Sequence, residues 1–419
     1  MNLVFVESNT TGSGMRAFAK AAALGLTPVL ATADPSRYDG LAGTGARIVT
    51  CDTNRETGLA AELSDLVGDL AGVTTTSEFY VVTAARVAAE LGLPGNAPGA
   101  VAACRNKGTM RRLLAGAHLP SPVFRLIEAD GDLKTQMLAA LSCIALPCVV
   151  KPVDDTGSLG VVLCSTWREA VTAAEAIVST TVNVRGQQAA RAALVEGYLN
   201  GPEFSLEMLS SGERHECVGI VAKRVTSPPS FVERGHVFPA MLSEDEAAVL
   251  VDTACRALRV VGVTHGVTHI EMKLIRGRGY VVEINARPAG GMIPEVIARS
   301  CGFDLLDAHL RAAAGLASRP RPQEFSPAGI AFLLAPECMG EQDAVLRDVS
   351  GVADALAVPG VDAVTITAAP GARVRPARSS YDRLGYAIAH ASTHTELDQA
   401  LDRALGCLRL LLDPTMGIT

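Results

Sequence analysis

The chain has few of the residues on which nucleic-acid binding depends. Aromatic residues make up 4% of its 419 residues, and 37 Lys and Arg against 44 Asp and Glu leave a net charge of -7. So few aromatic rings offer little surface for stacking bases, and an acidic chain lacks the positive field that attracts phosphate backbones. We therefore expect small molecules, and no nucleic acid, as partners.

Membrane and secretion signals are also missing from the sequence. No apolar run reaches the roughly 18 residues that a membrane-spanning helix needs. No basic region precedes the apolar stretch Leu3–Val6, and none of the ten cysteines forms a C-x-x-C pair. Scattered cysteines of this kind are typical of reduced, buried thiols, so we expect a cytoplasmic protein without a membrane anchor.

The first 100 residues alternate between two kinds of segment. Strand-like apolar runs fall at residues 3–6, 27–32 and 48–50. Helical patterns fall at residues 14–25, 55–70 and 79–92. This alternation predicts an α/β unit with a parallel sheet.

The rest of the chain has a different pattern. One helix is expected over 101–117. Period-2 alternation over 192–288, interrupted by a helix at 244–261, indicates mostly β structure. A helix at 304–316 and another near 395–412 are expected towards the end of the chain.

A glycine-rich segment lies between the first strand and the first helix. Gly12 and Gly14 fit the pattern G-x-G-x-x-A, and Asp34 follows about 20 residues later, which is the outline of a dinucleotide-binding fingerprint. Residues 7–11 separate the strand from the first glycine, where the fingerprint requires a tight turn. Nicotinamide binding and a simple strand-to-helix turn both stay open.

A lysine at the end of an apolar strand is followed by a loop of small residues. Lys151 ends the run Val149–Pro152, and residues 155–161 read Asp-Thr-Gly-Ser-Leu-Gly-Val. Small residues allow backbone N–H groups to approach phosphate oxygens, and a lysine adds positive charge. The segment is either a phosphate-binding loop or an ordinary hairpin loop.

Other polar residues have less specific interpretations. Glu203, Ser205 and Glu207 share one face of a strand, and without further context we expect that face to be solvated. The pair Arg111–Arg112 is likewise expected on a solvated helix face. His269 follows His265 by four residues, but the segment is not helical and has no H-E-x-x-H motif, so zinc is not expected.

The most informative segment is a hairpin over residues 269–287. If it is centred on Gly277, Glu271 stands opposite Glu283, and two acids directly opposed in a sheet repel each other. A divalent cation converts that repulsion into binding. The two carboxylates and the amide oxygen of Asn285 form a hard ligand set suited to Mg²⁺ with bound phosphate. A hairpin with exposed acids is the alternative.

Together and in this order, these motifs resemble the nucleotide site of the ATP-grasp superfamily, in particular its carboxylate–amine ligases, which include L-amino-acid ligases. The resemblance covers about residues 75–410. It implies an ATP-grasp fold of mixed α/β class. Its expected parts are an N-terminal Rossmann-like parallel-sheet domain at 1–100, linker helices and a lid subdomain at 101–200, and a large antiparallel-sheet subdomain at 201–419. The last part ends in a β/α element from about 322.

The resemblance also implies roles for individual residues. Those expected to bind ATP are Lys107, Lys151, Gly157, Ser158, Glu196, Leu199 and Glu203. Those expected to bind Mg²⁺, or Mn²⁺ in its place, are Glu271, Glu283 and Asn285. Those expected at the substrates are Glu233, His236, Arg287 and Gly290. Arg287 is also the expected catalytic residue, because it would stabilise the developing negative charge.

The implied reaction joins an amino-acid carboxylate to an amine through an acylphosphate, with release of ADP and phosphate. Three alternatives stay open: an ATP-grasp carboxylase that uses bicarbonate, an NAD-dependent oxidoreductase based on the segment at 12–17, and a nucleotide-binding protein without catalysis. A homodimer formed through the N-terminal domain is common in the family and is a further expectation.

Overall fold

A computed structural model describes residues 1–10, 12–55, 57–226, 231–320, 324–336, 339 and 343–414. The strands are β1 Asn2–Val6, β2 Thr27–Thr32, β3 Arg47–Thr50, β4 Leu70–Thr74, β5 Phe124–Glu128, β6 Cys148–Pro152, β7 Val162–Cys164, β8 Ala192–Gly197, β9 Glu203–Ser211, β10 Arg214–Val225, β11 Glu233–Phe238, β12 His265–Ile275, β13 Arg278–Asn285, β14 Ala328–Leu333, β15 Ala344–Ser350, β16 Val361–Ile366, β17 Arg373–Val374, β18 Gly385–His390 and β19 Arg409–Pro414. The helices are α1 Ser13–Ala23, α2 Leu59–Val67, α3 Val81–Glu90, α4 Pro98–Arg105, α5 Lys107–Gly116, α6 Leu133–Leu141, α7 Trp167–Ser179, α8 Glu244–Val261, α9 Ile293–Cys301, α10 Leu305–Ala313, α11 Val352–Leu356 and α12 His394–Cys407.

The N-terminal sheet is parallel and has the strand order β3-β2-β1-β4. Strand β1, one of its two central strands, is buried on both faces, as the uninterrupted apolar run Leu3–Val6 predicts. Strand β4 was not predicted, because the helical pattern was extended to residue 70. Helix α2 ends at Val67, and Gly68 (φ 59°) and Asp69 then turn the chain into β4.

The helix predicted over 101–117 is two helices. The break falls at Asn106, which has extended backbone angles and whose side chain accepts a hydrogen bond from the backbone N–H of Thr109. Asparagine is among the best residues at this capping position, because its side chain satisfies an N–H that the helix leaves free. The break places Lys107 in the first turn of α5, beside the carbonyl of Val153.

The lid sheet, defined as β5-β8-β6-β7, is antiparallel. Helices α6 and α7 pack on it around a core that includes Ile127, Met137 and Val195. Thr166 and Glu169 form a reciprocal capping box at the start of α7, which fixes where this helix begins.

The large sheet has the order β13-β12-β9-β10-β11-β14-β18-β16 and is antiparallel throughout. Helix α8 occupies the predicted range, because Ser243 and Glu246 cap its start and Gly262 (φ 81°) ends it. Helix α9 was not predicted. The C-terminal helix ends earlier than predicted, at Cys407, and β19 follows it in the small sheet β17-β15-β19.

The predicted boundary near residue 322 lies outside the described residues. Among the helices of the described ranges, none combines the length and the apolar character required to cross a bilayer.

Candidate active site

One large cleft collects most of the predicted site residues. Its volume is about 790 Å³, and it is lined by the lid sheet, the large sheet and the loops that follow β1 and β4. The predicted residues that line it are Lys107, Lys151, Gly157, Ser158, Glu196, Leu199, Glu203, Glu233, His236, Glu271, Glu283, Arg287 and Gly290. Asn285 is not part of this lining: it is buried behind the cleft surface, and its amide donates to Glu283 Oε1 over 2.9 Å.

The two hairpin glutamates stand opposite each other, as predicted, but for a different reason. The turn is a two-residue turn at 276–277 rather than one centred on Gly277, and continuous pairing would place Glu271 opposite Val282. A register shift beside Glu271 leaves Val282 unpaired and brings Glu283 into register. Such a bulge inserts one residue on one strand, and here it creates the pair of acids.

Both carboxylates are held by cations. Glu283 lies 3.1 Å from Lys107 Nζ, and Glu271 accepts a hydrogen bond from Lys223. Burial raises the pKa of Glu283, but the charge of Lys107 and the Asn285 hydrogen bond outweigh it, so the pKa lies well below its usual range. Glu283 is therefore available as a carboxylate.

This donor set fits a hard divalent cation that also binds phosphate. Glu271 and Glu283 are directly opposed, and Asn285 orients one of them. Within the described ranges, no group of three or more His, Cys, Asp or Glu side chains is arranged to hold a metal ion unaided. A cation at the hairpin would thus take its remaining oxygen ligands from a bound phosphate or water, as Mg²⁺ commonly does.

Arg111 is fully buried, which corrects the expectation of a solvated helix face. Its Nε donates to Glu196 over 2.9 Å, and its other nitrogens donate to the carbonyls of Val281 and Val282. Glu196 also pairs with Lys151. Burial raises the pKa of Glu196, but these two cations lower it to about 2. Both oxygens of Glu196 are thus committed to cations.

Replacing Arg111 with leucine is expected to lower the free energy of unfolding by about 3–5 kcal/mol, because it leaves Glu196 buried with one of its two cations and two carbonyls without donors. Arg112→Leu is the matched control, since the neighbouring side chain is exposed, and its effect should stay within about 0.5 kcal/mol. Urea unfolding measures the free energy of unfolding of both variants. Equal effects for the two variants would contradict the assigned role of Arg111.

A second buried network surrounds Lys223. Its Nζ lies 3.2 Å from Glu203 and 2.8 Å from Glu233, and it contacts Glu271 as well. Burial lowers the pKa of Lys223, but the three carboxylates raise it well above its usual value. Lys273 approaches Glu203 from the other neighbouring strand, at 3.6 Å.

The polar face of β9 is not solvated, contrary to expectation. Ser205 and Glu207 are both 0% exposed. Glu207 accepts from Ser205 over 2.9 Å and pairs with His269 Nδ1 over 2.8 Å. In the neighbouring strand β12, Glu271 is in register with Ser205 and His269 with Glu207, so the polar residues of the two strands meet on one face.

His269 bridges two carboxylates. Its Nε2 lies 3.3 Å from Glu271, and its Nδ1 contacts Glu207. Burial lowers the pKa of His269, but the two acids raise it to about 10. The imidazole is therefore a cation at neutral pH, and it forms ion pairs with both carboxylates.

The charge on His269 predicts a pH dependence of stability. Because the pKa is raised on folding, the stabilisation is complete below about pH 6.5, the usual value for an unfolded histidine, and is lost towards pH 10. Over that interval, unfolding free energy should fall by up to about 1.4 kcal/mol per pH unit from this group. The unfolding free energy of His269→Gln, measured in urea, should vary less with pH than that of the unsubstituted protein. The same variation with pH in both proteins would contradict this.

Arg287 and His236 lie at one end of the cleft. Arg287 Nε is 2.7 Å from Glu78 Oε2, and Nη1 donates to the carbonyl of Pro288. His236 is 1% exposed, and neither ring nitrogen has a hydrogen-bond partner among the described residues. Burial lowers its pKa to about 3, so the ring is neutral. Gly291 (φ 57°) leaves space for it, since a Cβ there would lie 2.8 Å from His236 Nε2.

Glu233, predicted to meet an amino group, is already paired with two cations. It contacts Lys223 and Arg383, and Arg383 also stacks on Phe332 with 3.8 Å to the ring centroid. Burial raises the pKa of Glu233, but these neighbours hold it well below the usual range. Glu233 thus enters the cleft as an ionised carboxylate.

The two glycine-containing loops of the sequence both reach this cleft. Gly157 and Ser158 have positive φ angles of 66° and 61°, and Ser380 N donates to the carbonyl of Gly157 over 3.2 Å. Gly12 lines the opposite part of the cleft. Asp34, the acid of the dinucleotide outline, instead caps a short turn through Ser36 and does not line the cleft.

Several cleft residues were not identified from the sequence. They are Glu78, Arg185, Lys223, Lys273, His269 and Arg383. Lys223 and Lys273 are paired with Glu203 on its two neighbouring strands. This arrangement can be recognised in the sequence only when the strand order is known. Glu78 gave no signal, because its partner lies more than 200 residues away.

Comparison with known proteins agrees with this architecture. Residues 144–295 match the model of the ATP-grasp domain, and residues 338–413 match L-amino acid ligase C-terminal domain 2. The chain is 30% identical to "Uncharacterized protein y4rH" of Sinorhizobium fredii, over 98% of this chain and 83% of that one. It is 29% identical to a D-alanine–D-alanine ligase of Gloeobacter violaceus, over 51% of this chain and 70% of the relative.

More distant similarities lie in the same superfamily. An alanine–anticapsin ligase of Bacillus subtilis is 26% identical over 54% of this chain and 50% of its own length. The crystal structure of an L-amino acid ligase from Bacillus licheniformis superposes with a TM-score of 0.81 over 98% of both chains, at 21% identity. The fold is thus the ATP-grasp fold, and the chain belongs to the ATP-grasp ligase family, with a C-terminal part of the L-amino acid ligase type.

Proposed function

We propose that this protein joins the carboxylate of an amino acid to an amine, by way of an acylphosphate, and releases ADP and phosphate. The observation that carries the proposal is the cleft itself. It contains Lys107 and Lys151 on separate elements, the opposed Glu271 and Glu283, and Arg287. Two of the relatives, the D-alanine–D-alanine ligase and the alanine–anticapsin ligase, have names that state ligation of D-alanine or alanine.

The proposed chemistry follows from the charges in the cleft. A carboxylate is a poor electrophile, and phosphorylation by ATP gives it a leaving group. Lys107 and Lys151 would hold the phosphates in place, and Arg287 would stabilise the negative charge that develops on the acyl oxygen. Glu271 and Glu283, with Asn285 behind them, would hold Mg²⁺. The ion would neutralise phosphate charge.

The remaining assigned residues would position the reactants. Glu196 and Glu203 would fix the nucleotide side, with Leu199 beside the base. At the substrate side, the neutral His236 has no hydrogen-bond partner among the described residues, and Glu233 provides a carboxylate for an amino group. Gly290 leaves room beside them, since a Cβ there would contact nothing.

Exclusion of water is a second requirement, since water hydrolyses an acylphosphate. The loop at Gly157 contacts Ser380 of the C-terminal part, and Gln187 of the lid contacts Phe79 after β4. These contacts close the lid on both sides of the cleft, which suits a reaction that must be protected from solvent.

The test is release of phosphate from ATP and Mg²⁺ in the presence of all pairs of the twenty amino acids. We expect release to require a specific pair, and the product mass to equal their condensation. Glu283→Gln, purified in parallel, controls for contaminating ATPases. Release that depends on bicarbonate without any amino acid would favour the carboxylase instead. Absence of ATP binding would contradict the proposal.

That the protein acts in the cytoplasm and that it forms a homodimer both remain predictions.

A further inference from the structure

Arg185 differs from the other cations that line the cleft. Each of the others forms an ion pair with a carboxylate: Lys107, Lys151, Lys223, Lys273, Arg287 and Arg383. Arg185 has no ion pair with any carboxylate in the part of the chain that the structure describes. A half-buried guanidinium without a counter-charge at the wall of a substrate cleft is available to an anionic ligand.

The loop that carries Arg185 is ordered by its own hydrogen bonds. Asn183 Oδ1 accepts from the backbone N–H groups of Arg185 (2.9 Å) and Gln187 (3.1 Å), and the carbonyl of Asn183 accepts from Gly186. Gly186 (φ 76°) completes the turn. Arg185 therefore projects from a tight turn rather than from an unrestrained loop.

The same turn is anchored to the N-terminal sheet. Asn54, after β3, donates to the carbonyl of Arg185 over 3.1 Å, and Arg37 donates to the carbonyl of Val184 over 3.3 Å. Gln187 donates to the carbonyl of Phe79, after β4, over 3.1 Å. These bonds join the lid to the carboxyl end of a parallel sheet, which is where open α/β sheets bind ligands.

This position separates Arg185 from the lysines assigned to phosphate. Lys107 and Lys151 are paired with acids of β13 and β8, whereas Arg185 is anchored beside Phe79, next to the Glu78 that pairs with Arg287. Burial raises the pKa of Tyr80, and the charge of Arg185 opposes that shift, which is consistent with a place near the end of β4. Arg185 thus lies near the end of β4, where Glu78 pairs with Arg287.

We infer that Arg185 is the residue that binds the substrate carboxylate when the amine donor is an amino acid. The inference rests on the proposed function. Arginine presents two parallel N–H groups that match the two oxygens of a carboxylate. Contact would form only when the lid is docked on the N-terminal sheet, which ties recognition of the second substrate to closure of the cleft.

The experiment compares Arg185→Gln with Arg168→Gln, an exposed lid arginine that lies outside the cleft. Each is assayed with amino acids and with the corresponding amino-acid amides as amine donors. We expect Arg185→Gln to raise KM for the amino acid about 10- to 100-fold, from loss of a charge-assisted bidentate contact. KM for the amide and for ATP should change less than about twofold, and Arg168→Gln should match the unsubstituted protein.

Equilibrium binding separates this inference from the proposed reaction. Calorimetric titration of the MgADP-bound protein with each of the twenty amino acids should show weaker binding to Arg185→Gln, and that result supports the inference even if no condensation occurs. Equal affinity for both proteins overturns it, as does a loss confined to ATP or ADP, which would place Arg185 at the phosphates. Failure of every amino acid to bind the unsubstituted protein also overturns it.

Discussion

Replacing Arg287 with alanine is expected to lower turnover by two orders of magnitude or more. The side chain is 8% exposed and lines the cleft, and its only carboxylate partner among the described residues is Glu78. Loss of one preorganised group that stabilises an oxyanion costs about 3 kcal/mol of transition-state stabilisation, which corresponds to this change. The measurement is kcat for phosphate release with the substrate pair identified in the screen.

Two further variants separate catalysis from folding. Arg287→Lys keeps a positive charge beside Glu78, so it should fold normally, yet it lacks the planar fork and should remain slow. Arg278→Ala removes an exposed arginine at the start of β13, the strand that precedes Arg287, and should be as active as the unsubstituted protein. Near-normal ligation by Arg287→Ala would contradict the assigned role.

Replacing Lys223 with methionine is expected to destabilise the folded protein strongly. Methionine approximates the length of the side chain but leaves Glu203, Glu233 and Glu271 without their shared cation. Removing one partner from a buried ionic network costs about 3–5 kcal/mol, because the remaining charges stay desolvated. Arg224→Met is the matched control, because Arg224 is adjacent to Lys223 in the sequence and its ion pair with Asp398 is exposed. Exposed ion pairs contribute about 0–1 kcal/mol.

The destabilisation of Lys223→Met should depend on pH. In the unsubstituted protein the pKa of Glu233 is lowered on folding, so its stabilisation is present above about pH 4.3 and is lost as pH falls. In the variant, Glu233 loses one of its two cations, so its pKa is expected to rise and it should take up a proton more readily. The difference in unfolding free energy should therefore narrow from pH 8 to pH 5. A difference that does not vary with pH would contradict a charge-based cause.

Much of the site could be predicted because its signals are local. The order of Lys151, the loop after it, Glu203 and the hairpin acids is a property of the sequence, and the short hairpin brings Glu271 and Glu283 to adjacent strands. Helix α8 could also be predicted, because capping residues mark its start and a glycine marks its end. The bulge that leaves Val282 unpaired could not be predicted, because no residue in the sequence marks it.

Burial of charge could not be predicted in the same way. Arg111 and Arg112 are adjacent and chemically identical, yet one is fully buried and the other is exposed. The difference arises because Glu196, 85 residues away, lies beside only one of them. A charged side chain is stable inside a protein only with a partner, and the partner is supplied by the tertiary fold.

The sequence by itself therefore determined the fold class, the family and the chemical types gathered at the cleft, because these follow from periodicity and from motif order along the chain. The tertiary structure decided which charges neutralise each other. It placed Glu203 between two lysines, set Arg287 against Glu78, and left Arg185 without a carboxylate among the described residues. Pairings between distant strands depend on sheet order and register, and these are settled only when the whole core packs.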